Sequence, residues 1–336
     1  HHTQEVDMKA LFIGGTGTIS SGCSKLALER GIDLYLLNRG QSIRPVPEGA
    51  KVLTADIRDP QSVRAALGGL EFDMVADFIA FKPDHIETDL ELFRGRTSQY
   101  IFVSSASAYQ TPPAVLPVTE STFLDNPVWQ YSRDKAACEE RLERAYREEK
   151  FPFTIVRPSH TYDQSYLPLH GEWTSVDRML RGEPVIVHGD GSSLWTLTHN
   201  SDFAKGFVGL MGNSHAMGEA FHITSDEWLT WNQIYETVAA AAGVKAKLVH
   251  VPSDLIAAYD PVWGDSLLGD KTHSFILDNS KIKRVVPDFV CTKPFSRGAE
   301  EIIAWHMADA SRRRVNAEFN GICDRILAGY ARAWPG

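Results

Sequence analysis

The feature that most constrains this chain is its opening rhythm, in which short apolar runs alternate with helical patterns. Lys9-Ala-Leu-Phe-Ile13 reads as a buried strand and closes on Gly14-Gly-Thr-Gly17. Residues 19–30 have helical spacing, and Gly31 stands where a C-cap belongs. Residues 34–37, 51–54, 74–79, 100–103 and 153–156 are further strand candidates, and 60–67 and 129–150 are helical. Continuous apolar strands separated by helices predict a parallel sheet covered on both faces. That is an α/β fold with a doubly wound parallel Rossmann sheet.

After Arg157-Pro158 the rhythm changes, with glycine, proline and aromatics frequent over 166–195. Residues 204–211 resume a helix, 220–223 return a strand, and 296–334 are strongly helical. The organisation predicted is a dinucleotide-binding domain over 8–165 plus about 198–225. A smaller mixed C-terminal substrate domain takes 166–197 and 226–334.

A net charge of -9 argues against a nucleic-acid partner or an acidic membrane surface, since both need basic patches. No apolar run reaches the roughly 20 residues that span a bilayer. No signal peptide is visible, so a cytoplasmic protein is expected. His1-His2-Thr-Gln looks like the remnant of an expression tag. Cys23, Cys138, Cys291 and Cys323 are scattered, without Cys-x-x-Cys or a neighbouring histidine at ligand spacing. They read as buried reduced thiols, and no metal site is expected.

Gly14-x-x-Gly17 lies between a strand and a helix, the context a phosphate-binding turn requires. Glycine permits positive φ and close approach of the backbone to a pyrophosphate. The helix start at Thr18-Ile19 supplies open amides. Ser20 replaces the usual third glycine and is small enough for close packing. The second strand ends in Asn38-Arg39, where an acidic residue would bind a ribose 2′-hydroxyl. Asn38 is uncharged, Arg39 can pair with a phosphate, and Arg44 lies in the same loop. This favours NADP over NAD, although an arginine does not by itself exclude NAD. Asp56, before Ile57, is placed to accept from an adenine amine, whereas Asp59 before Pro60 reads as a helix cap.

Tyr131 and Lys135 are four residues apart and share a helix face, which Cys138, Leu142 and Ala145 continue inward. A buried lysine needs polar partners, which cofactor ribose hydroxyls would supply. Lys135 is expected to lower the Tyr131 pKa by favouring phenolate. Tyr131 would then move a proton at a substrate oxygen that Ser105, beyond the fifth strand, holds by its hydroxyl.

Together these motifs resemble an extended, or atypical extended-like, short-chain dehydrogenase/reductase of the NAD-dependent epimerase/dehydratase family. The resemblance rests on Gly14-Gly-Thr-Gly17, Asp56-Ile57, Val103-Ser-Ser105, Tyr131-x-x-x-Lys135, Arg157-Pro158, and Gly189-Asp-Gly191 with Asp202-Phe-Ala204. It implies an enzyme with catalytic Ser105, Tyr131 and Lys135. It also implies cofactor contacts from Phe78 and Ala80, and nicotinamide-side contacts from Pro158 and His160. Ser107, Tyr109, His160, Tyr162, Trp195 and Arg297 are its candidate substrate residues. Trp173, Trp195, Tyr166 and Trp263 are candidates for stacking on a sugar or for interdomain core. His160 is either a second acid/base group or a hydrogen-bonded wall residue.

Departures from the family pattern narrow the chemistry. Ala106-Ser107-Ala108 has no acidic pair after Ser105, which argues against 4,6-dehydration. Trp195 stands where many sugar-nucleotide enzymes have an arginine for the substrate diphosphate; Arg297 and Arg284 are candidates to compensate. The expectation is hydride transfer at a hydroxyl or keto carbon of a carbohydrate-like small molecule. Sugar or nucleotide-sugar epimerisation is favoured, with one-way oxidation or reduction of a non-nucleotide substrate close behind. A non-catalytic dinucleotide sensor is a third reading, against which the intact Tyr–Lys pair counts. Relatives of the family often form homodimers through the helices around this pair, and the apolar periodicity is compatible with that.

Overall fold

The computed structural model describes residues 7–335, so the His1-His2-Thr-Gln segment lies outside the described residues. The Rossmann sheet begins as expected: β1 (Lys9–Ile13), α1 (Ser20–Glu29), β2 (Asp33–Asn38), β3 (Lys51–Thr54), α2 (Pro60–Leu67) and β4 (Met74–Asp77). It continues through α3 (Pro83–Phe93), β5 (Tyr100–Val103), α4 (Gln130–Glu149) and β6 (Phe153–Pro158). Asp59 caps α2 by accepting from the Ser62 amide.

The second half contains β7 (His160–Tyr162), α5 (Trp173–Leu180), β8 (Pro184–His188), β9 (Leu194–Trp195), β10 (Leu197–His199), α6 (Asn200–Leu210) and β11 (Glu219–Ile223). Then come β12 (Leu229–Thr230), α7 (Trp231–Ala241), β13 (Lys247–Val251), α8 (Ser253–Tyr259) and α9 (Pro261–Ser266). A π-helical turn at Leu267–Lys271 precedes α10 (Ser280–Val285), α11 (Phe295–Met307) and α12 (Ala317–Ala331). The region read as one helical stretch over 296–334 is therefore two helices. They part at Asp309, which caps a short turn, and restart at Asn316, which caps α12.

The sheet is parallel throughout, in the order β11-β6-β5-β4-β1-β2-β3. The order reverses between β1 and β4, and in such sheets ligands bind outside the carboxyl ends of the strands at this switch. Successive strand residues feed two cores. Phe12, Leu36 and Met74 meet Cys23, Phe203 and Phe207 of α1 and α6 on one face. Leu11, Val75 and Phe102 meet Leu67, Leu90, Cys138 and Leu142 of α2, α3 and α4 on the other. The stripe that made a helix-paired dimer compatible with the sequence is thus used inside the chain. The outward side of α4 carries charge, with Arg141 paired to Glu87 and Glu149 to Arg94.

Two further cores build the second half. Trp173, Val176, Val187, Trp195, Trp231 and Phe295 form one, and Trp263, Phe319, Cys323 and Ile326 form the other. Trp173 and Trp263 are core residues, which takes both away from stacking on a sugar. Ile282, Val286 and Phe289 return to the face of the sheet covered by α1 and α6. No helix among the described residues is long and apolar enough to cross a membrane.

A buried polar network joins β6 to β11. Arg157 donates to Glu139 at 2.9 Å and to the Tyr109 hydroxyl at 2.8 Å. Tyr109 in turn reaches His222 Nε2 at 2.6 Å, and His222 Nδ1 lies 2.7 Å from the Asp278 carbonyl. Glu139 and Arg157 have side chains 0% and 6% exposed. Removing one member of such a pair strands a buried charge. Glu139→Ala is therefore expected to destabilise the fold by about 3–5 kcal/mol, measured by denaturant unfolding; a loss below 1 kcal/mol would mean that the pair carries no such strain.

Candidate functional site

The glycine turn has the conformation its sequence requires. Gly14 has φ +81°, and a Cβ there would lie 2.7 Å from Ile79 Cγ2. Ser20 knits the turn closed: its hydroxyl donates to the Gly14 carbonyl at 2.5 Å and accepts from the Gly17 amide at 2.7 Å. The Thr18 and Ile19 amides, at the start of α1, have no acceptor among the described residues. Open amides at a helix start suit a pyrophosphate, so these residues fit a dinucleotide. Asn38 Oδ1 accepts from the Gly40 amide, and Arg39 is exposed. Arg44 reaches back across the turn, donating to Thr18 Oγ1 at 2.8 Å and pairing with Asp163 at 2.9 Å. Asp56 accepts from the Arg58 amide, while Ile57 is buried in the core.

Lys135 is almost wholly buried and donates to the carbonyls of Ala80 at 2.8 Å and Val103 at 2.9 Å. Its ammonium also sits 4.8 Å above the Phe81 ring and 5.8 Å from that of Tyr131. Burial lowers its pKa to about 8, against the upward pull of Cys138, Asp77 and Glu139. Tyr131, one turn earlier, lines a cavity together with Ser105. Burial and the charge of Asp270 push the phenol up to about 12, while Ser105 pulls it down. The expected lowering by Lys135 is not found, because the ammonium faces the ring and its hydrogen bonds go to carbonyls.

Ser105 belongs to a hydroxyl chain. Ser132 donates to Ser107 Oγ at 2.7 Å, and Ser107 Oγ lies 2.8 Å from Ser105 Oγ. Ser105 Oγ also accepts from the Ser107 amide. Ser107 lines the same cavity and positions Ser105.

That cavity, of about 260 Å³, is bounded by Ser105, Trp129, Tyr131, Pro158, His160, Tyr166, Trp195, Asp270, Lys271, Phe275 and Leu277. Sequence reasoning missed Trp129, Asp270, Lys271, Phe275 and Leu277. The Tyr–Lys motif lies two residues beyond Trp129, a proximity signal that was available. Asp270 and Lys271 arrive from a segment with no motif of its own.

Several sequence expectations change place. Tyr109 does not meet substrate, since its hydroxyl is consumed by Arg157 and His222. Tyr162 is fully buried against His199 and Phe295. Arg297 is 72% exposed and paired with Glu300, away from the cavity. Arg284 lies in a separate surface depression with Glu143 and Glu219. The Phe78 ring packs between Phe12 and Phe207, at 5.2 and 5.1 Å, within the layer of α1 and α6. His160 is a wall residue: Trp195 donates to its Nδ1 at 3.0 Å, which leaves Nε2–H for the Tyr166 hydroxyl at 3.1 Å. Burial and the nearby Lys271 lower its pKa to about 3, so it stays neutral and is no second acid. Among the described residues no cluster of side chains suits a metal ion.

Behind Lys135, Asp77 Oδ2 and Asp89 Oδ1 are buried without a separate donor. The two carboxyls face each other, and the Tyr100 hydroxyl donates to Asp89. Burial, followed by the charge of Asp77, holds Asp89 well above the ordinary aspartate range.

Residues 10–224 match the NAD dependent epimerase/dehydratase family. The chain belongs to that family and is an enzyme. It is 26% identical over 259 residues to the 2′-dehydrokanamycin reductase of Streptomyces kanamyceticus, covering 76% of this chain and 72% of the reductase. It is 28% identical over 259 residues to the chloroplast stem-loop binding protein of 41 kDa b of Arabidopsis thaliana, covering 73% of this chain and 66% of that protein. An epimerase from Methanothermobacter thermautotrophicus superposes with a TM-score of 0.76 at 17% identity, over 92% of this chain and 94% of the epimerase. The UDP-glucose 4-epimerase of Thermotoga maritima, solved with UDP-glucose, superposes with a TM-score of 0.70 at 21% identity, over 90% and 99%. At these identities the two structures show a shared fold.

A carboxyl held protonated by the fold stabilises it below its unfolded pKa, and that contribution is lost as pH rises through the folded value. Wild-type stability is therefore expected to fall as pH rises from the ordinary aspartate value of 3.8. Asp89→Asn, which stays neutral, should flatten that dependence in unfolding midpoints measured across pH. Parallel curves for the two proteins would exclude Asp89 as its source.

Proposed function

We propose that this member of the epimerase/dehydratase family transfers hydride between a nicotinamide dinucleotide and a hydroxyl or keto carbon of a sugar-like substrate. Ser105, Tyr131 and Lys135 form its acid/base apparatus. The observation that carries the reading is that Ser105 and Tyr131 line one cavity, which Pro158, at the end of β6, also borders. When bound, the dinucleotide supplies or accepts the hydride at its nicotinamide ring. Thr18 and Ile19 amides would hold its pyrophosphate. Lys135, with one N–H left after its two carbonyl bonds, would orient a ribose. Ser105 would hold the substrate oxygen by donation, and Tyr131 would exchange the proton there. The exposed Arg39 and the uncharged Asn38 support NADP(H) as the dinucleotide.

A phenol pushed up to about 12 is protonated at neutral pH and suits reduction, in which it donates to a nascent alkoxide. The Streptomyces relative, a reductase by name, supports the same direction. Epimerisation, the first expectation from sequence, is the second reading. It draws on the same three residues but requires the keto intermediate to turn over between Trp129, Tyr166 and Trp195 before hydride returns. Cofactor stoichiometry separates the two: a reductase consumes one equivalent per turnover, while an epimerase regenerates its own.

Tyr131→Phe is expected to lower kcat by about 10²–10⁴-fold, the usual contribution of a positioned acid. Dinucleotide affinity should stay unchanged. Undiminished turnover in this variant would remove Tyr131 from the chemistry.

A further inference from the structure

We infer that Asp270 and Lys271 are the specificity-determining residues of the cavity, and that they select an unphosphorylated polyol about one ring in size over a nucleotide sugar. The inference rests on the acid/base reading of Ser105 and Tyr131 above and adds the substrate class.

Both side chains reach the cavity from the π-helical turn Leu267–Lys271, and the turn is firmly seated. Asn126 donates to the Gly269 carbonyl at 2.7 Å, and His188 Nε2 lies 3.0 Å from the Lys271 carbonyl. A Cβ on Gly269 would lie 2.7 Å from Trp129 Cβ, so only glycine lets the turn come this close to the start of α4.

The two charges are poorly satisfied where they sit. The Asp270 side chain is 11% exposed, and its one hydrogen bond among the described residues is to Lys271 at a long 3.4 Å. The Lys271 ammonium otherwise faces ring surfaces, 5.3 Å from Trp129 and 5.6 Å from Trp195. Partly buried charges with one long mutual contact leave hydrogen-bonding capacity facing the cavity, so the site suits a ligand rich in groups that both donate and accept. Hydroxyls do both: they donate to the carboxylate and accept from the ammonium. The half-buried Trp129 ring at the cavity suits the apolar face of a sugar or cyclitol ring.

A nucleoside diphosphate fits this cavity poorly. Trp195, on the cavity wall, is committed to His160 and offers no cation for a diphosphate. Asp270 puts a negative charge inside, and Arg297 is outside and paired. About 260 Å³ is below the roughly 300–1,000 Å³ of pockets for drug-sized ligands.

The test uses the purified full chain with its nicotinamide dinucleotide. A panel of free keto-sugars, cyclitol ketones and aminosugars is compared with UDP- and dTDP-linked sugars. Turnover is read at the reduced-nicotinamide absorbance and binding by tryptophan fluorescence. The expected result is turnover of at least one free polyol and neither turnover nor binding of the nucleotide sugars. Asp270→Asn and Lys271→Met should each raise KM for that polyol by about 10–100-fold, the loss expected for a charged hydrogen bond. They should leave kcat within a few-fold and dinucleotide affinity unchanged. A higher kcat/KM for a nucleotide sugar, an unchanged KM in both variants, or no free polyol turned over or bound would overturn the inference. If Tyr131→Phe silences turnover of a polyol while both variants keep its KM, the selection fails and the acid/base reading stands. If Tyr131→Phe is active, the acid/base reading itself fails.

Discussion

Lys135 is the constraint on which the site depends. An ammonium this deeply buried survives only because the Ala80 and Val103 carbonyls accept from it. Val103 ends β5 and Ala80 lies just past β4, so the lysine pins α4 to the carboxyl ends of adjacent strands. Tyr131 precedes it by one helical turn and is thereby delivered to the mouth of the same crevice. The helix face, the strand order and the glycine turn all converge at the switch between β1 and β4. The active-site geometry is thus a consequence of how one buried charge is satisfied.

The interior around this pin is unusually polar, and its groups are matched in pairs. The Ser132–Ser107–Ser105 chain links three hydroxyls at the cavity. Arg157 and Glu139 neutralise each other beneath the loop that carries Tyr109. Asp89 accepts from the Tyr100 hydroxyl behind the lysine. Networks of this kind specify one arrangement because any partial match leaves a buried polar group unpaired. The exception is Asp270 with Lys271, where partners run short at the wall of the cavity that Ser105 and Tyr131 also line.

Much of the architecture could be read from the chain because parallel strands buried on both faces are continuously apolar. Tyr100-Ile-Phe-Val103 is buried throughout, and its bounds agree with expectation. Ser105, Tyr131 and Lys135 were recognisable because their spacing is local and their context is regular. The wall of the cavity was not legible, for it is assembled over long range. Asp270 and Lys271 lie well over a hundred residues from Tyr131 and sit on an irregular turn. Tyr109, Tyr162 and Arg297 illustrate the converse limit. Each has the side chain a sugar site would use, yet burial, a hydrogen-bond partner or a surface ion pair claims it first. Only tertiary packing decides between those uses.

The most direct test of the central claim is a crystal structure with the oxidised dinucleotide bound. The account predicts the pyrophosphate over the Thr18 and Ile19 amides, the ribose within hydrogen-bond reach of Lys135 Nζ, and the nicotinamide ring between Pro158 and Tyr131. A dinucleotide lying elsewhere, or a nicotinamide ring beyond reach of a substrate atom held by Ser105 and Tyr131, would contradict it.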